Sequence, residues 1–275
     1  MVNKLKELYD ITIDCYENKD NGIIFFINDS WYYFTHINYD DNYINQIHEM
    51  VRYYYKKIPF HEFVYTKNKK ISEAGYVLFK LRTFYMNINI EDILSFMVPI
   101  NDKMTISMNE LWQQKLDYLE DKVFSACNDE YVFDSFDYYY GIGEMILSYL
   151  RKQYIDENKF YLCHKTFYDL SSISFYNPFN VTCDYLYRDV ASYISITKDY
   201  DLLKKILKEK YMSSYVYKYF FCRLCFPFYY FYLISLYLED NKKVDIFHYS
   251  EYEDYLEEIQ NIFNIYLFHF IKKRN

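Results

Sequence analysis

The sequence predicts an α+β protein with two lobes, a small N-terminal lobe built on an antiparallel sheet with one helix and a larger, mainly helical C-terminal lobe. Two patterns support this prediction. Before about Tyr85 the predicted elements follow the order strand, strand, helix, strand, strand, and after it most segments repeat apolar residues at helical spacing. We therefore place the N-terminal lobe at residues 1–85 and the C-terminal lobe at residues 86–275.

The first hairpin follows from two short apolar runs with a turn between them. Ile23–Ile27 and Trp31–Ile37 are rich in β-branched and aromatic residues, which favour strands. The residues Asn28-Asp29-Ser30 between them favour a turn. The pattern therefore predicts two antiparallel strands near the start of the N-terminal lobe.

A helix and a second hairpin complete this lobe. Residues 42–55 repeat apolar side chains at helical spacing, and Pro59 ends the pattern. Phe60–Thr66 and Gly75–Arg82 then predict two strands on either side of the polar turn Lys67–Lys70. The helix thus lies between two hairpins in the sequence.

Helices dominate the predicted C-terminal lobe. Phe160–Cys163 is a short apolar run that predicts a strand, and Phe175–Thr182 predicts an irregular strand around Pro178. The predicted helices include Tyr138–Tyr154, Asp189–Ile196, Asp201–Tyr211 and a final amphipathic helix from Tyr252 to Phe270.

Composition and charge argue against several functions. The net charge of −8 disfavours contact with a phosphate backbone, so we expect no nucleic-acid partner. The 38 Tyr and 24 Phe residues are typical of an AT-rich genome, and we interpret them as core residues rather than a base-stacking surface. Tyr215–Leu238 is apolar, but Lys218, Arg223 and Pro227 interrupt it, so we predict a buried helix pair and no membrane span.

Six scattered cysteines predict neither a disulfide framework nor a metal site. Cys222 and Cys225 form one Cys-x-x-Cys pair, and no second pair or histidine lies at zinc spacing. The segment Met1–Asp20 is charged throughout, unlike a signal peptide. We therefore expect a cytoplasmic protein without a bound metal.

Two short motifs suggest a family. Cys163-His164-Lys165-Thr166 follows a predicted strand, and Arg188-Asp189-Val190-Ala191 opens a predicted helix about 25 residues later. In this order they resemble the His-Gly-Asp and Asp-Leu-Ala segments of aminoglycoside-phosphotransferase-like kinases. The resemblance implies a two-lobed, protein-kinase-like fold, which agrees with the order of elements predicted before Tyr85.

Four segments resemble the bacterial spore-coat branch of this superfamily more closely, namely the spore-coat protein S and YutH-like proteins. In order they cover about residues 105 to 260. The segments are Trp112 with Lys115, Asp117 and Glu120; Tyr138–Glu144; Asp184–Ile194; and Arg223–Pro227 followed by Tyr229-Tyr230-Phe231.

Residues needed for phosphoryl transfer are missing from these motifs. Transfer from ATP needs an Asp that orients the nucleophile and Asn or Asp oxygens that hold Mg²⁺. Where the family's catalytic Asp falls, two residues after His164, this chain has Thr166, and where the metal-binding Asn falls it has Ser171. A neutral hydroxyl replaces neither a proton acceptor nor a good Mg²⁺ ligand. We therefore assign no catalytic residue, no metal and no cofactor with confidence.

The predicted N-terminal lobe also departs from the family pattern. The family's phosphate-contacting Lys falls in Tyr32–His36, which contains no Lys, and Gly22 stands alone where a glycine-rich loop is expected. The resemblance implies that Glu49, on the following helix, is the usual salt-bridge partner of that Lys. It is the only residue we assign to a cofactor-binding role.

Several candidate residues keep two interpretations. His164 is either a catalytic residue or a buried, hydrogen-bonded side chain that holds its loop, and we favour the second. Asp189 is expected to cap its helix and to have a structural role. Asp184 is either a metal-binding residue or a solvated loop carboxylate, and Asp169 is a candidate replacement for the lost carboxylate.

Three functional hypotheses follow. The leading one is a catalytically degenerate member of the spore-coat group, a pseudokinase that binds or scaffolds a protein partner and is located in the cytoplasm or, by resemblance, in a spore coat. The second is an active small-molecule phosphotransferase that uses ATP and Mg²⁺ with relocated carboxylates, Asp169 and Asp184. The third is a fold retained for nucleotide binding without transfer. The sequence favours a protein that is not an enzyme.

Overall fold

The computed structural model describes residues 1–19, 22–82, 87–100, 108–127, 129–152, 160–209, 212–240 and 249–269. Its strands are β1 (Glu17–Lys19), β2 (Gly22–Ile27), β3 (Ser30–His36), β4 (Glu62–Val64), β5 (Ser72–Glu73), β6 (Tyr76–Lys80), β7 (Pro99–Ile100), β8 (Phe160–His164) and β9 (Val181–Asp184). Its helices are α1 (Val2–Tyr9), α2 (Asp41–Tyr54), α3 (Ile90–Phe96), α4 (Met108–Ala126), α5 (Glu130–Arg151), α6 (Ser172–Phe175), α7 (Arg188–Thr197), α8 (Tyr200–Glu209), α9 (Ser214–Cys225), α10 (Phe228–Asp240) and α11 (Tyr249–Phe263).

The chain divides into two compact units. The first unit comprises Met1–Val98 with Leu162–Cys183, and the second unit comprises Pro99–Tyr161 with Asp184–Asn275. The lobe boundary predicted at Tyr85 lies outside the described residues.

The first unit is built on an antiparallel sheet, as the sequence predicts. The strand order is β1-β2-β3-β6-β4, and β5 pairs with the remaining part of β6. The hairpin between β2 and β3 turns at Asn28 and Asp29, whose φ angles of 48° and 55° are both left-handed. Two such residues give the tight turn that matches the twist of paired strands. The second predicted hairpin is also confirmed, because β4 pairs antiparallel with β6.

A helix that the sequence analysis did not predict covers one face of this sheet. Leu5, Leu8 and Tyr9 of α1 pack in one buried cluster with sheet residues that include Phe25 and Phe34. Phe34 is completely buried, and Tyr9 meets its ring edge-on at 5.9 Å. The α1 helix therefore supplies three of the seven buried residues of this hydrophobic cluster.

The segment from β8 to β9 belongs to the first unit and differs from its prediction. Phe175–Thr182 was expected to be an irregular strand, but α6 ends at Phe175 and Pro178–Asn180 forms a 3₁₀ turn, so only β9 is extended. The turn begins there because the Asn177 side chain accepts the Phe179 N–H at 3.0 Å and because proline is pre-organised for a first helical position. The loop that follows His164, residues 165–180, is called the motif loop below, and it contains a short helix and a 3₁₀ turn in place of a long strand.

The second unit is mainly helical, as predicted, with a short antiparallel pairing of Pro99 and Ile100 with Tyr161 and Phe160. Helices α4 and α5 approach closely, since a Cβ atom on Gly143 would lie 3.1 Å from Leu116 Cδ1. The helix expected at Tyr138–Tyr154 begins earlier than predicted, at the start of α5, where the Asp129 side chain accepts an N–H of the first turn.

The end of α9 is fixed by tyrosine side chains from α11. Pro227 lacks an N–H group and interrupts the helix between α9 and α10. The carbonyl oxygens of Leu224 and Cys225 at this break accept hydrogen bonds from the Tyr255 and Tyr252 hydroxyls, at 3.0 and 2.6 Å. The last turn of α9 is thus capped by side chains rather than by further backbone.

The final helix is shorter than predicted. The apolar stripe was expected to continue to Phe270, which lies outside the described residues, but α11 ends at Phe263 and Asn264 is left-handed with φ of 52°. The Gln260 side chain then accepts the N–H groups of Leu267 and Phe268, both at 2.6 Å. These side-chain bonds replace the helical ones beyond Asn264.

No single described helix is both long and apolar enough to cross a bilayer. Ser214–Cys225 and Phe228–Leu238 together have the necessary length and composition, as a helix pair bent by 44°.

Truncation of Leu5 should show that α1 is part of the core. Leu5 is completely buried, so Leu5→Ala should lower the free energy of unfolding by about 2–5 kcal/mol, measured by urea denaturation. Leu94→Ala is the matched control because Leu94 is 42% exposed, and it should change stability by less than about 1 kcal/mol. Equal losses in the two variants would contradict this role of α1.

Candidate functional site

His164 occupies an aromatic stack in the first unit. Its side chain lies at the end of β8, is 1% exposed, and its ring centroid is 4.1 Å from each of the Phe96 and Phe175 rings. Its Nε2 atom lies 2.8 Å from the Phe175 carbonyl oxygen, so this nitrogen carries the proton and donates it. The ring is therefore held between two aromatic side chains and by the Phe175 carbonyl oxygen.

Thr166, at the position where the family has its catalytic Asp, is held by one amide side chain. Asn180 Oδ1 accepts hydrogen bonds from the Thr166 backbone N–H at 3.0 Å and from the Thr166 hydroxyl at 2.9 Å. Asn180 Nδ2 in turn donates to the carbonyl oxygens of Thr166 and Ser174, at 2.8 and 3.2 Å. All the groups in this network are neutral. Asn180 was not among the candidate residues predicted from the sequence.

Asp169 and Ser171 form a local turn. The exposed Asp169 carboxylate accepts the Ser171 N–H at 3.0 Å, and Ser171 is the residue that precedes α6. Such Asp-initiated turns are a common way to start a helix. Asp169 therefore stabilises the turn before α6, and its carboxylate remains accessible to solvent.

Lys165 lies where the family motif has glycine, and it contacts α2 within the same unit. Its Nζ atom donates to the Tyr43 hydroxyl at 2.6 Å and lies 4.9 Å from that ring centre and 5.2 Å from the Tyr39 ring centre. A cation over two aromatic rings is stabilised by their negative faces. The loop is therefore anchored to the N-terminal end of α2.

The face of the sheet opposite α1 carries a tyrosine where the family has its phosphate-contacting segment. A Cβ atom on Gly22 would lie 2.5 Å from Tyr33 Cε2, so the Tyr33 ring rests directly on β2 at this glycine. Tyr33 is 6% exposed and Thr35, on the same face of β3, is 5% exposed. The Tyr33 ring and the Thr35 hydroxyl thus occupy this face of the sheet.

Glu49 does not have the role implied by the resemblance. Its side chain is 68% exposed and bonds to Arg52 on the same helix, with Nη1 and Oε1 3.0 Å apart. The buried face of α2 instead carries Ile44, Ile47 and Val51. The carboxylate therefore lies on the solvent face of α2, with a surface arginine as its partner.

His61 supports the motif loop from β4. Its backbone N–H donates to the Tyr176 carbonyl at 3.1 Å, and its Nε2 atom lies 3.2 Å from the Ile173 carbonyl. The ring is completely buried and Nδ1 has no hydrogen-bond partner among the described residues. Burial lowers the pKa of His61 to about 4, because the imidazolium would lose its hydration.

Asp184, in the second unit, is not a solvated loop carboxylate, which was one of its two interpretations from the sequence. It is completely buried, its Oδ2 atom lies 2.5 Å from Arg188 Nη1, and its Oδ1 atom accepts the Tyr185 N–H at 2.7 Å. The prediction was wrong because Arg188, four residues later, folds back and pairs with the Asp184 carboxylate. A buried carboxylate of this kind requires such a partner.

Asp189 is buried but does not cap its helix as predicted. The residue that precedes α7 is Tyr187, which is left-handed with φ of 73°, and Asp189 is the second residue of the helix. Its carboxylate is completely buried in the first helical turn, where negative charge is favoured by the helix dipole. Asp189 is therefore a buried residue of the first helical turn and not the residue that caps the helix.

Two further cations of the second unit lie near the Asp184–Arg188 pair. The pKa of Lys115 is lowered to about 8, first by burial and then by the positive charges of Arg223 and Arg188. The Arg223 guanidinium lies 3.8 Å from the centre of the Phe228 ring and 5.7 Å from that of Trp112. The Arg223 side chain thus packs against aromatic rings of α4 and α10.

Cys222 and Cys225 are unsuited to redox or metal chemistry. Both are completely buried, and burial raises the pKa of both thiols, so the reactive thiolate is disfavoured. Within the described ranges, no group of three or more His, Cys, Asp or Glu side chains is arranged to hold a metal ion.

The comparisons with known proteins identify the fold. No protein-family model matches the sequence, and no curated protein matches it. A spectinomycin phosphotransferase, APH(9)-Ia, solved with ADP and spectinomycin, aligns with a TM-score of 0.54 and 13% identity over 96% of this chain and 96% of that chain. An aminoglycoside phosphotransferase from Alicyclobacillus acidocaldarius subsp. acidocaldarius DSM 446 aligns with a TM-score of 0.49 and 11% identity over 94% of this chain and 92% of that chain. The chain has the protein-kinase-like fold of the aminoglycoside phosphotransferases.

Acidic pH should destabilise the protein through His61. Its pKa of about 4 in the folded protein lies below the ordinary value of 6.5, so the unfolded chain binds the proton first. The contribution of His61 is fully present above about pH 6.5 and is lost as the pH falls towards 4, by up to about 3 kcal/mol. Urea denaturation of the native protein and of His61→Gln between about pH 7 and 4.5 measures this difference. The same pH dependence in both proteins would contradict it.

Removal of the Asn180 amide should loosen the motif loop. Asn180→Ala leaves Thr166 without three hydrogen bonds, so we expect a loss of about 1–3 kcal/mol in urea denaturation and faster hydrogen exchange at the Thr166 amide. Asn68→Ala is the control, because the exposed Asn68 side chain makes one surface bond, to Glu73. Unchanged exchange at Thr166 in Asn180→Ala would rule out the proposed network.

Proposed function

We propose that this chain is a catalytically degenerate kinase-fold protein, a pseudokinase, which acts by binding rather than by phosphoryl transfer. The observation that carries the proposal is the environment of Thr166. Its hydroxyl donates to Asn180 at 2.9 Å, at the position where the family's Asp orients the nucleophile. A hydroxyl held in this way supplies no carboxylate to accept a proton.

The residues of the N-terminal sheet support the same proposal, because they do not fit Mg-ATP. The Tyr33 ring rests on Gly22, and no lysine is present in β3 to contact a phosphate. Thr35 is buried and its hydroxyl donates to the His36 carbonyl at 3.3 Å. Glu49 pairs with Arg52 on the surface of α2. Neither the charge nor the space that a triphosphate requires is supplied by these residues.

A second candidate function is small-molecule phosphoryl transfer with relocated carboxylates. It is favoured by the exposed Asp169, which lies five residues after His164 and whose carboxylate accepts the Ser171 N–H. The solved spectinomycin phosphotransferase contains ADP and spectinomycin, so an aminocyclitol acceptor is the natural first substrate to test. The burial of Asp184 and its pairing with Arg188 argue against its use as a metal ligand.

The partner and location that we propose follow from the resemblance to the spore-coat group. The partner would be a protein, and the chain would reside in the cytoplasm or in the coat of a spore, away from nucleic acid and membrane. Fractionation of spores from the source organism, with an antibody against this chain, provides a direct test. Recovery from the cytoplasm but not from the coat fraction would remove the coat proposal and leave the binding proposal intact.

Mg-ATP should bind weakly or not at all. We expect no measurable heat in calorimetry with millimolar Mg-ATP and no rise in melting temperature beyond that given by MgCl₂ at equal ionic strength. A low-micromolar dissociation constant would overturn the proposal. Metal-dependent ATP turnover, with or without spectinomycin, that is abolished by both Asp169→Asn and Asp184→Asn would favour the second candidate. Asp169→Asn is the more informative of the two, because its exposed site leaves the fold unaffected.

A further inference from the structure

The first unit has an open groove at the turn between β2 and β3, and the proposed function does not use it. Its volume is about 480 Å³, which is within the range of small-molecule sites in proteins. The polar residues that line this groove, the sheet groove, are Asp29, Ser30, Glu62, Lys80 and Arg82. All five belong to the first unit, so the groove is complete within one compact part of the chain.

The register of the strands places the sheet groove on the face of the sheet that carries α1. Glu62 of β4 lies opposite Lys80 of β6, and Lys80 lies opposite Tyr32 of β3, so these three side chains share one face. Tyr32 packs against the hydrophobic cluster that contains Leu5 of α1, which identifies the face. The groove is therefore separated by the sheet from Tyr33, which lies on the other face.

Arg82 is held in place by two neighbours. Its Nε and Nη2 atoms both donate to Glu62 Oε1, at 3.1 and 2.9 Å, and its guanidinium lies 4.2 Å from the centre of the Tyr55 ring. These contacts leave Arg82 Nη1 and Glu62 Oε2 without a hydrogen bond to any residue that the structure describes. The pair therefore keeps one donor and one acceptor for a ligand, and both are fixed in position.

Three further polar groups of the sheet groove are not engaged by the protein. Within the ranges that the structure describes, the Lys80 ammonium, the Asp29 carboxylate and the Ser30 hydroxyl form no hydrogen bond or ion pair. An ammonium only donates, a carboxylate only accepts, and a hydroxyl does both. With Arg82 and Glu62, the lining thus has two cations and two carboxylates, and its charges cancel.

The charges in the lining are interleaved, and this defines the ligand that suits the groove. Glu62 pairs with Arg82 and also faces Lys80 across the strands, so an ion of either sign would meet a like charge. A neutral hydroxyl instead donates to a carboxylate and accepts from a cation, and such hydrogen bonds to charged groups are strong. We propose that the sheet groove binds a neutral sugar, whose adjacent hydroxyls bridge neighbouring cations and carboxylates.

The proposal goes beyond the pseudokinase function and does not depend on it. The sheet groove lies on the sheet of the first unit and includes no residue of the motif loop. The sugar is either a free molecule or one residue of a glycan chain, since both present the same hydroxyls. The groove is open to solvent and admits either form.

An array of neutral mono- and oligosaccharides, with sialylated glycans and amino sugars as charged probes, tests the groove. The native protein should bind at least one neutral sugar, and calorimetry then gives its dissociation constant. Asp29→Asn combined with Lys80→Met removes one charge of each sign at exposed positions, so this groove variant should keep the native melting temperature and bind at least about tenfold more weakly. Lys4→Met combined with Glu7→Gln is the matched control, because it removes an exposed ion pair of α1 outside the groove, and its affinity should change less than about twofold.

The other outcomes identify the form of the sugar or overturn the proposal. Binding of a free monosaccharide as tight as that of the longer chain supports a site for the free sugar, and binding of oligosaccharides alone supports a site for a glycan. Binding of charged probes only, binding of no sugar, or equal affinity in the native protein and the groove variant would each overturn it. If the groove variant melts below the native protein, Lys80→Gln replaces it in the same comparison, with Lys4→Gln as its control.

Discussion

One amide side chain holds the loop that would carry the chemistry of this fold. Asn180 uses its oxygen and its nitrogen to fix Thr166 and Ser174, so the path of the loop is set by hydrogen bonds between neutral groups. A carboxylate in place of the Thr166 hydroxyl would face the Asn180 carbonyl oxygen, and two acceptors repel each other. The loop is therefore stabilised in a form that suits a neutral residue at position 166.

The neighbours of this loop extend the same arrangement through the first unit. His164 stacks between Phe96 and Phe175, His61 is kept neutral by burial, and Lys165 is bound by the aromatic face of α2 through Tyr43. His164 and Lys165 are thus both held by structural contacts. In active sites, shifted pKa values commonly keep ionisable groups ready to exchange protons. In this unit the lowered pKa of His61 keeps the imidazole uncharged, and its role is to support the loop.

Elements defined by local chemistry could be predicted from the sequence, and those defined by distant partners could not. The β2–β3 hairpin was predictable because Asn28 and Asp29 readily adopt the left-handed turn. Helix α1 was missed because its short apolar stripe is set among charged residues and gains its stability from the sheet. The contact between Lys165 and Tyr43 joins two residues that are 122 positions apart in the chain, so single-sequence patterns contain no signal for it.

The tyrosines at the break between α9 and α10 make that corner rigid. A proline break usually leaves carbonyl groups that need water, which allows the two arms to move. Here the Leu224 and Cys225 carbonyls are bonded by the Tyr255 and Tyr252 hydroxyls, and the Tyr255 ring is buried with them. Any opening of the corner would break these bonds and expose the rings together. Helices α9, α10 and α11 therefore form a single cooperative folding unit, whose amides should exchange with solvent only when the whole unit opens.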